Sequence, residues 1–144
     1  MSDELFTMRA AREDDMALIN TYAYREGMPD IPGVEGVTAA VNDADQPVGF
    51  IRIKHGADGT AHINPVVVYE PWRRYGVGRA LVEDALAREG ELRLVSRGGS
   101  LAFYRALGFE DVPWDAIDPE IASECDGCEL IDECRPQPVA KRIR

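Results

Sequence analysis

The segment that decides the fold is Val66-Val67-Val68-Tyr69-Glu70-Pro71-Trp72-Arg73-Arg74-Tyr75-Gly76-Val77-Gly78-Arg79-Ala80-Leu81. Its first part is apolar and predicts a buried strand, and its last part opens an amphipathic helix. Glycines let a backbone approach a ligand closely, and the unpaired amides at the start of a helix bind phosphate oxygens. The loop from Arg73 to Gly78 therefore predicts a pyrophosphate cradle, to which Arg74 and Arg79 add positive charge.

Two other phosphate-binding patterns are absent from this loop. A dinucleotide fold requires Gly-x-Gly-x-x-Gly followed by an acid about twenty residues later, and a P-loop requires Gly-Lys-Ser/Thr. Taken by itself, the loop is also compatible with a tight strand-to-helix turn that binds nothing.

Periodicity along the rest of the chain predicts strands first and then alternating strands and helices. The predicted strands are 5–10, 37–41, 48–53, 61–69, 92–95, 109–112 and 139–143, and the predicted helices are 14–25, 77–90 and 100–107. This order is typical of a mixed α/β or α+β sheet. The length of 144 residues suits one domain, with a core over 1–112 and a cysteine-containing tail, 113–144, that packs on it.

Two blocks in register resemble the GNAT N-acetyltransferase superfamily. One is the hydrophobic strand with Arg73-x-x-Gly76-x-Gly78, and the other is Ala102-Phe103-Tyr104-Arg105-Ala106-Leu107-Gly108-Phe109, which looks like the family's Phe-Tyr-x-x-x-Gly-Phe segment. The resemblance implies a mixed, mainly antiparallel sheet flanked by helices, with a V-shaped splay between the fourth and fifth strands. It also implies acetyl-CoA as cosubstrate and a primary amine, of a small molecule or amino acid, as acceptor.

The resemblance places the pantetheine arm of the cofactor beside Val66 to Val68, with the amide of Val68 facing the thioester oxygen. At the position where the family often has an asparagine, this chain has Arg97, so Arg97 could contact phosphate or the loop could take another path. The residues implied at the cofactor are Val66, Val67, Val68, Arg73, Arg74, Tyr75, Gly76, Val77, Gly78, Arg79, Arg97, Ser100, Phe103 and Tyr104.

Three side chains are candidates for proton transfer. His62 stands where the family often has a glutamate, eleven residues before Arg73, and a histidine with a pKa of about 6.5 suits proton abstraction at neutral pH. Glu70, at the end of the predicted strand, is a second candidate base. Tyr104 matches the family tyrosine that donates a proton to the leaving thiolate. The structural alternatives are an exposed strand histidine, a solvated carboxylate and a tyrosine packed on the sheet.

The tail contains Cys125, Cys128 and Cys134, the three cysteines of the chain. Cys-x-x-Cys is a common zinc half-site, but a structural site takes four ligands, so His55, His62, an acid or a second chain would have to complete it. Free thiols in a packed tail, and a redox role, are the alternatives. The tail is similar to that of a GNAT subgroup related to N-acetylglutamate synthase.

The composition bounds partners and habitat. A net charge of −10 argues against nucleic acid as a partner, and no apolar run is long enough to span a bilayer. We expect a cytoplasmic protein. An acid excess with only two lysines fits a halophilic habitat or a GC-rich genome. Dimers are common in the superfamily, so a homodimer is a candidate. A protein N-terminal or lysine acetyltransferase, and a non-catalytic acetyl-CoA sensor, are the alternative functions.

Overall fold

The structure is a computed structural model that describes residues 5–125 and 131–143. The strands are β1 (Thr7–Ala10), β2 (Val37–Val41), β3 (Pro47–His55), β4 (Ala61–Val68), β5 (Glu91–Ser96), β6 (Glu110–Asp111) and β7 (Gln137–Arg142). The helices are α1 (Met16–Arg25), α2 (Val77–Glu89), α3 (Leu101–Ala106), α4 (Pro119–Ala122) and α5 (Ile131–Cys134). The strand order is β1-β2-β3-β4-β5-β7-β6.

This architecture confirms the predicted fold class, a mixed and mainly antiparallel sheet with helices. Every strand and helix that the sequence predicted is present, with ends that differ by a few residues. Short 3-10 turns account for several of these differences: Glu13–Asp15 precedes α1, and Gly98–Ser100 precedes α3. In the described part of the chain, no helix is long and apolar enough to cross a membrane.

Contacts divide the described chain into two compact units. One contains the described residues up to Ile53 together with Asn64–Ala85, and the other contains Lys54–Ile63 and the described residues from Leu86 onward. The predicted division into a core and a tail therefore stays a prediction.

In the first unit, β1, β2 and β3 pair antiparallel in that order, and α1 packs against them. The chain reverses between β2 and β3 at Asn42, whose side-chain oxygen accepts the amides of Ala44 and Gln46. The members of the buried apolar cluster of this unit are Ala11, Ile19, Tyr22, Ala23, Ile31, Val37, Phe50 and Val67. Because this cluster joins α1 to the third and fourth strands, it fixes where the end of β4 lies relative to α1.

In the second unit, the last strand of the chain lies inside the sheet. The strand β7 pairs antiparallel with β5 from Glu91↔Arg142 to Ser96↔Gln137, and on its other side it pairs with β6. The strands β4 and β5 run parallel and pair at His62↔Arg93. The end of the tail is thus a structural strand of the sheet.

A charged network ties the first strand to the start of the first helix. Arg9 donates to both carboxylate oxygens of Asp15, at 2.7 and 3.1 Å, and also bonds the side chain of Asp45. Asp15 is buried and accepts the backbone amide of Arg12 as well. The hydrogen bonds from Arg9 hold the pKa of Asp15 below its usual value.

We predict that Asp15→Asn lowers the free energy of unfolding by about 1–3 kcal/mol at pH 7, because it leaves the charge of Arg9 without its buried partner. The folded-state pKa of Asp15 is lowered, so this contribution is complete above the unfolded pKa of about 3.9 and is lost as the pH falls through the folded value. Urea unfolding of both proteins between pH 7 and pH 3 measures it. The difference should shrink towards pH 3. The exposed neighbour, changed as Asp14→Asn, is the control, and an equal effect of the two variants would contradict the prediction.

Candidate active site

The turn between β4 and α2 presents unpaired backbone amides. In residues 5–125 and 131–143, the structure pairs none of the N–H groups from Gly76 to Arg79, while the Ala80 amide bonds the Gly76 carbonyl at 3.0 Å and starts the helical ladder. The backbone φ of Gly76 is 77°, a value that glycine adopts without strain. Four N–H groups at the start of a 13-residue helix form the kind of site that binds a phosphate group.

The end of β4 is held close to this turn by β3. The Tyr69 amide donates to the Val48 carbonyl at 2.9 Å, and because successive amides of a strand point to opposite edges, the Val68 N–H points away from β3. A side chain at Gly49 would place its Cβ 3.0 Å from Val77 Cγ1 and 3.1 Å from the Val67 carbonyl oxygen. Glycine at this position therefore lets the strand end and the helix start approach each other.

The side chain of Arg73 is turned toward the strand end and α1. Its Nε–H donates to the Val68 carbonyl at 3.1 Å, and its Nη2 lies 2.8 Å from a carboxylate oxygen of Glu26. Arg73, predicted at the cofactor, is thus engaged on the protein side through its guanidinium. Arg74 and Tyr75 are exposed beside it.

A cavity of about 260 Å³ lies beside the end of β4. It is lined by Tyr22, Arg25, Glu26, Val67, Val68, Tyr69, Glu70 and Arg73. The structure thus brings together, within one unit, two of the predicted cofactor valines and the predicted base Glu70. Glu70 is exposed and begins a 3-10 turn, Glu70–Trp72.

Stacked and hydrogen-bonded aromatic side chains form one wall of this cavity. The rings of Tyr22 and Tyr69 are stacked, with centroids 4.9 Å apart and an interplanar angle of 19°. The Tyr22 hydroxyl donates to the Pro47 carbonyl at 2.8 Å. The guanidinium carbon of Arg25 lies 5.9 Å from the centroid of the Tyr69 ring, within cation–π range.

His62 is a buried residue of the second unit, with 1% of its surface exposed. Its Nδ1 lies 2.9 Å from the Thr60 carbonyl oxygen, and its Nε2 accepts the Asp118 amide at 3.1 Å. A carbonyl can only accept and an amide can only donate, so the ring is neutral with its proton on Nδ1. The lone pair that a general base needs is therefore occupied by the Asp118 amide in this structure, and the alternative of an exposed histidine is wrong.

Tyr104 is buried on α3 between two aromatic neighbours. Its ring makes edge-to-face contacts with Phe103 at 5.0 Å and Phe109 at 5.4 Å between centroids. Burial raises the pKa of the Tyr104 phenol well above its ordinary value. A phenol with a raised pKa stays protonated at neutral pH, so it can donate a proton or a hydrogen bond but cannot act as a base.

Arg97 and Ser100 hold the turn that precedes α3. The Ser100 hydroxyl donates to the Arg97 carbonyl at 2.8 Å and accepts the Arg97 amide at 3.2 Å. The guanidinium of Arg97 reaches Glu124 at 3.1 Å, and its Nε is buried without a partner in the described chain. The predicted contacts of Arg97 and Ser100 with the cofactor stay predictions.

Most of the predicted metal site lies outside the described residues. Cys128 and the side chain of Cys125 are not described, and Cys134 is a free, half-buried cysteine. Among the described residues, no three His, Cys, Asp or Glu side chains form a group that could hold a metal. The two histidines named as possible ligands have other partners, because His55 bonds Glu89 at 2.9 Å and His62 is engaged as above. The structure thus gives a structural zinc site no support.

Comparison with known proteins decides the family. The family model described as "Acetyltransferase (GNAT) domain" matches residues 35–111, more than half of the chain. The chain belongs to the GNAT acetyltransferase family. This confirms the resemblance drawn from the two sequence blocks, both of which lie within the matched residues.

The GNAT relatives differ in what their names say they acetylate. Peptidyl-lysine N-acetyltransferase YjaB of Escherichia coli K12 is 35% identical over 97 residues, which cover 65% of this chain and 60% of that protein. N-acetylglutamate synthase of Neisseria gonorrhoeae, solved with coenzyme A and N-acetyl-glutamate, superposes with a TM-score of 0.79 at 12% identity over 99% of this chain and 36% of that chain. Rv2747 of Mycobacterium tuberculosis, also solved with CoA, gives a TM-score of 0.77 at 13% identity over 96% of this chain and 99% of that chain. At these identities, the solved structures establish the shared fold.

Several residues of the cavity were not predicted from the sequence. Tyr22, Arg25 and Glu26 lie at the end of α1, whereas the other lining residues begin at Val67, more than forty positions later in the chain. The stacking of Tyr22 on Tyr69 joins these two segments. The helical spacing of α1 indicated which of its residues face the core. It gave no indication of which strand end its last turn would lie beside.

We predict that His62 is neutral with its proton on Nδ1, because Thr60 requires a donor and the Asp118 amide requires an acceptor. Long-range ¹H–¹⁵N correlation spectra at pH 7 should give a pyrrole-like Nδ1 and a pyridine-like Nε2. The exposed His55 serves as the reference ring in the same spectrum. A proton on Nε2, or a doubly protonated ring at pH 7, would contradict this hydrogen-bonding geometry.

Proposed function

We propose that this GNAT chain transfers the acetyl group of acetyl-CoA to a primary amine. The observation that carries the proposal is the set of unpaired amides from Gly76 to Arg79, in the turn between β4 and α2 of a chain of this family. The CoA bound in the structures of the Neisseria synthase and of Rv2747 supports the same cosubstrate.

The residues present fit coenzyme A. The free amides of Gly76 to Arg79 would hold the pyrophosphate, and the exposed Arg74 would add charge beside it. The N–H of Val68, directed away from β3, would face the thioester oxygen. Arg73 would act on the protein side, because its bonds to the Val68 carbonyl and Glu26 hold the strand end in place. When bound, acetyl-CoA supplies the activated acetyl group.

The acceptor amine must lose a proton before it can attack. An alkylammonium with a pKa of about 10.4 is neutral in only about one part in 10³ at pH 7, so a base assists. We assign this role to Glu70, which lines the cavity together with Val67 and Val68. His62 is the alternative, but it would first have to release the Asp118 amide.

The reaction then balances with three proton transfers. Glu70 takes one proton from the ammonium, directly or through water, and the neutral amine nitrogen forms a bond to the thioester carbon. The carbon–sulfur bond breaks, and the leaving thiolate takes a proton, which we assign to the Tyr104 hydroxyl. The second proton that the amine nitrogen loses then passes through water to the Tyr104 phenolate and restores the phenol. Burial raises the pKa of this phenol, so it holds its proton at neutral pH until the thiolate forms.

A peptide lysine is the second candidate acceptor. It is favoured by the name of the 35% identical relative, a peptidyl-lysine N-acetyltransferase. A lysine side chain on a peptide carries no carboxylate next to its amine, so the two acceptor classes differ in charge at the cavity.

We predict that acetyl-CoA stabilises the protein in a thermal melt, because it binds the native state alone. Arg74→Glu should raise the dissociation constant of acetyl-CoA about tenfold or more, because the new carboxylate repels the phosphates. The control is Arg135→Glu, the same charge change at an exposed arginine outside the turn. The absence of any shift with millimolar acetyl-CoA would refute the proposed cosubstrate.

We predict that Tyr104→Phe lowers kcat by about 10²-fold or more and leaves the dissociation constant of acetyl-CoA within about twofold. Phenylalanine fills the same aromatic site, so the melting temperature should change little. The matched control is Tyr24→Phe, at a tyrosine that is 79% exposed. An unchanged kcat would remove the acid role from Tyr104.

A further inference from the structure

The charges that line the cavity beside β4 are not all neutralised within the protein. Four charged side chains line it, two arginines and two glutamates, and one of each forms the ion pair between Arg73 and Glu26 at 2.8 Å. The remaining two are Arg25 and Glu70. Within residues 5–125 and 131–143, neither forms an ion pair, and the Arg25 guanidinium contacts the ring of Tyr69.

Arg25 is exposed at the end of α1 and lies beside a pair of stacked aromatic rings. It is the last residue of α1, and its guanidinium lies over Tyr69, which stacks on Tyr22. Tyr22 is in turn anchored by its hydrogen bond to the Pro47 carbonyl. An arginine whose guanidinium lies over an aromatic ring keeps its planar fork of N–H donors available, and such a fork matches a carboxylate.

A cavity with one unpaired cation and one unpaired anion fits a molecule that carries both charges. At about 260 Å³ the cavity is slightly smaller than the ~300–1,000 Å³ of sites for drug-sized ligands, so it suits a small molecule. An acceptor amine at Glu70 would lie beside Val67 and Val68, and a carboxylate on the same molecule would then face Arg25.

We propose that the acceptor is a small zwitterionic amine, an amino acid whose carboxylate is bound by Arg25 while its amine is presented to Glu70. This inference rests on the proposed function, because it assigns the substrate class of that same site. It adds a specificity residue, Arg25, that the acetyl-CoA chemistry does not require. A peptide lysine would leave the guanidinium of Arg25 without a carboxylate.

Acceptor pairs that differ only in the carboxylate test this directly. Thiol release from acetyl-CoA is measured for amino acids, for the matching decarboxylated amines and for a lysine peptide. The pairs are leucine with isopentylamine, glutamate with 4-aminobutyrate, and phenylalanine with phenethylamine. At least one amino acid should exceed its decarboxylated partner by about 10–100-fold in kcat/KM, as expected for a charged hydrogen-bonded contact. In the glutamate pair the amine keeps a distal carboxylate, so that pair reports how close the carboxylate must be to the amine.

The variant Arg25→Gln should reduce kcat/KM for that amino acid about tenfold or more, mainly through KM, and leave the rate with its decarboxylated amine unchanged. Arg25→Lys should restore part of the preference, because it keeps the charge and loses the fork of donors. The control is Arg12→Gln, at an exposed arginine of the same unit. Three outcomes would overturn the inference and leave acetyl transfer itself intact. The wild type could acetylate both members of every pair at equal rates, or it could prefer the lysine peptide. Alternatively, Arg25→Gln could reduce kcat/KM equally for both members of a pair.

If no acceptor is acetylated, the proposed function is refuted. A binding measurement then tests the carboxylate site of Arg25 separately. The ¹⁵N–¹H signal of the Arg25 side chain, assigned with Arg25→Lys, is followed as amino acids or amines are added in the presence of coenzyme A. A saturable shift with an amino acid and none with its decarboxylated partner supports the carboxylate site. No shift with any amino acid of the panel would overturn it.

Discussion

The close approach of the end of β4 to the start of α2 is the constraint on which the proposed site depends. It is favoured by the absence of a side chain at Gly49 of β3, where a Cβ would come within 3.1 Å of both the Val67 carbonyl and the Val77 side chain, closer than ordinary van der Waals contact. With that space available, Val77 is fully buried and the first turn of the helix begins directly beside the strand end. The unpaired amides of Gly76 to Arg79 and the outward-facing amide of Val68 thereby lie on one stretch of backbone, Val68 to Arg79. A site for a long ligand with phosphates at one end and a thioester at the other needs donors for both ends at a suitable spacing.

Arg73 shows how a motif residue can act on the protein rather than on a ligand. Its guanidinium bonds the Val68 carbonyl and the Glu26 carboxylate, so it joins the end of β4 to the end of α1. Because Arg73 pairs with Glu26, the charged side chains of the cavity that form no ion pair within the described chain are Arg25 and Glu70. The same ion pair therefore contributes to the shape of the strand end and to the electrostatic character of the acceptor side.

The buried histidine and tyrosine illustrate opposite consequences of burial. His62 has both ring nitrogens satisfied by backbone groups, which fixes its tautomer and occupies the lone pair that a base would use. Tyr104 lies against aromatic rings, and its burial disfavours the phenolate and keeps the proton in place. Burial therefore occupies the basic nitrogen of His62 and keeps the phenol of Tyr104 in its protonated form. Sequence position alone ranked both as catalytic candidates.

The sequence by itself determined the order of strands and helices, the glycine turn before α2 and membership of the GNAT family. These features are local: hydrophobic periodicity, glycine positions and two motifs are read within a few residues of one another. Only the tertiary structure decided that the tail supplies β7 within the sheet, that His62 is capped by the Asp118 amide 56 positions away, and that Arg25 faces the cavity beside Val68. Each of these depends on which distant surfaces pack together. Hydrophobic periodicity predicts that one face of a helix or strand is buried, but it does not identify the element that packs against that face. That Arg25 and Glu70 have no ion-pair partner among the described residues likewise follows from the pairing of Glu26 with Arg73, which only the fold brings about.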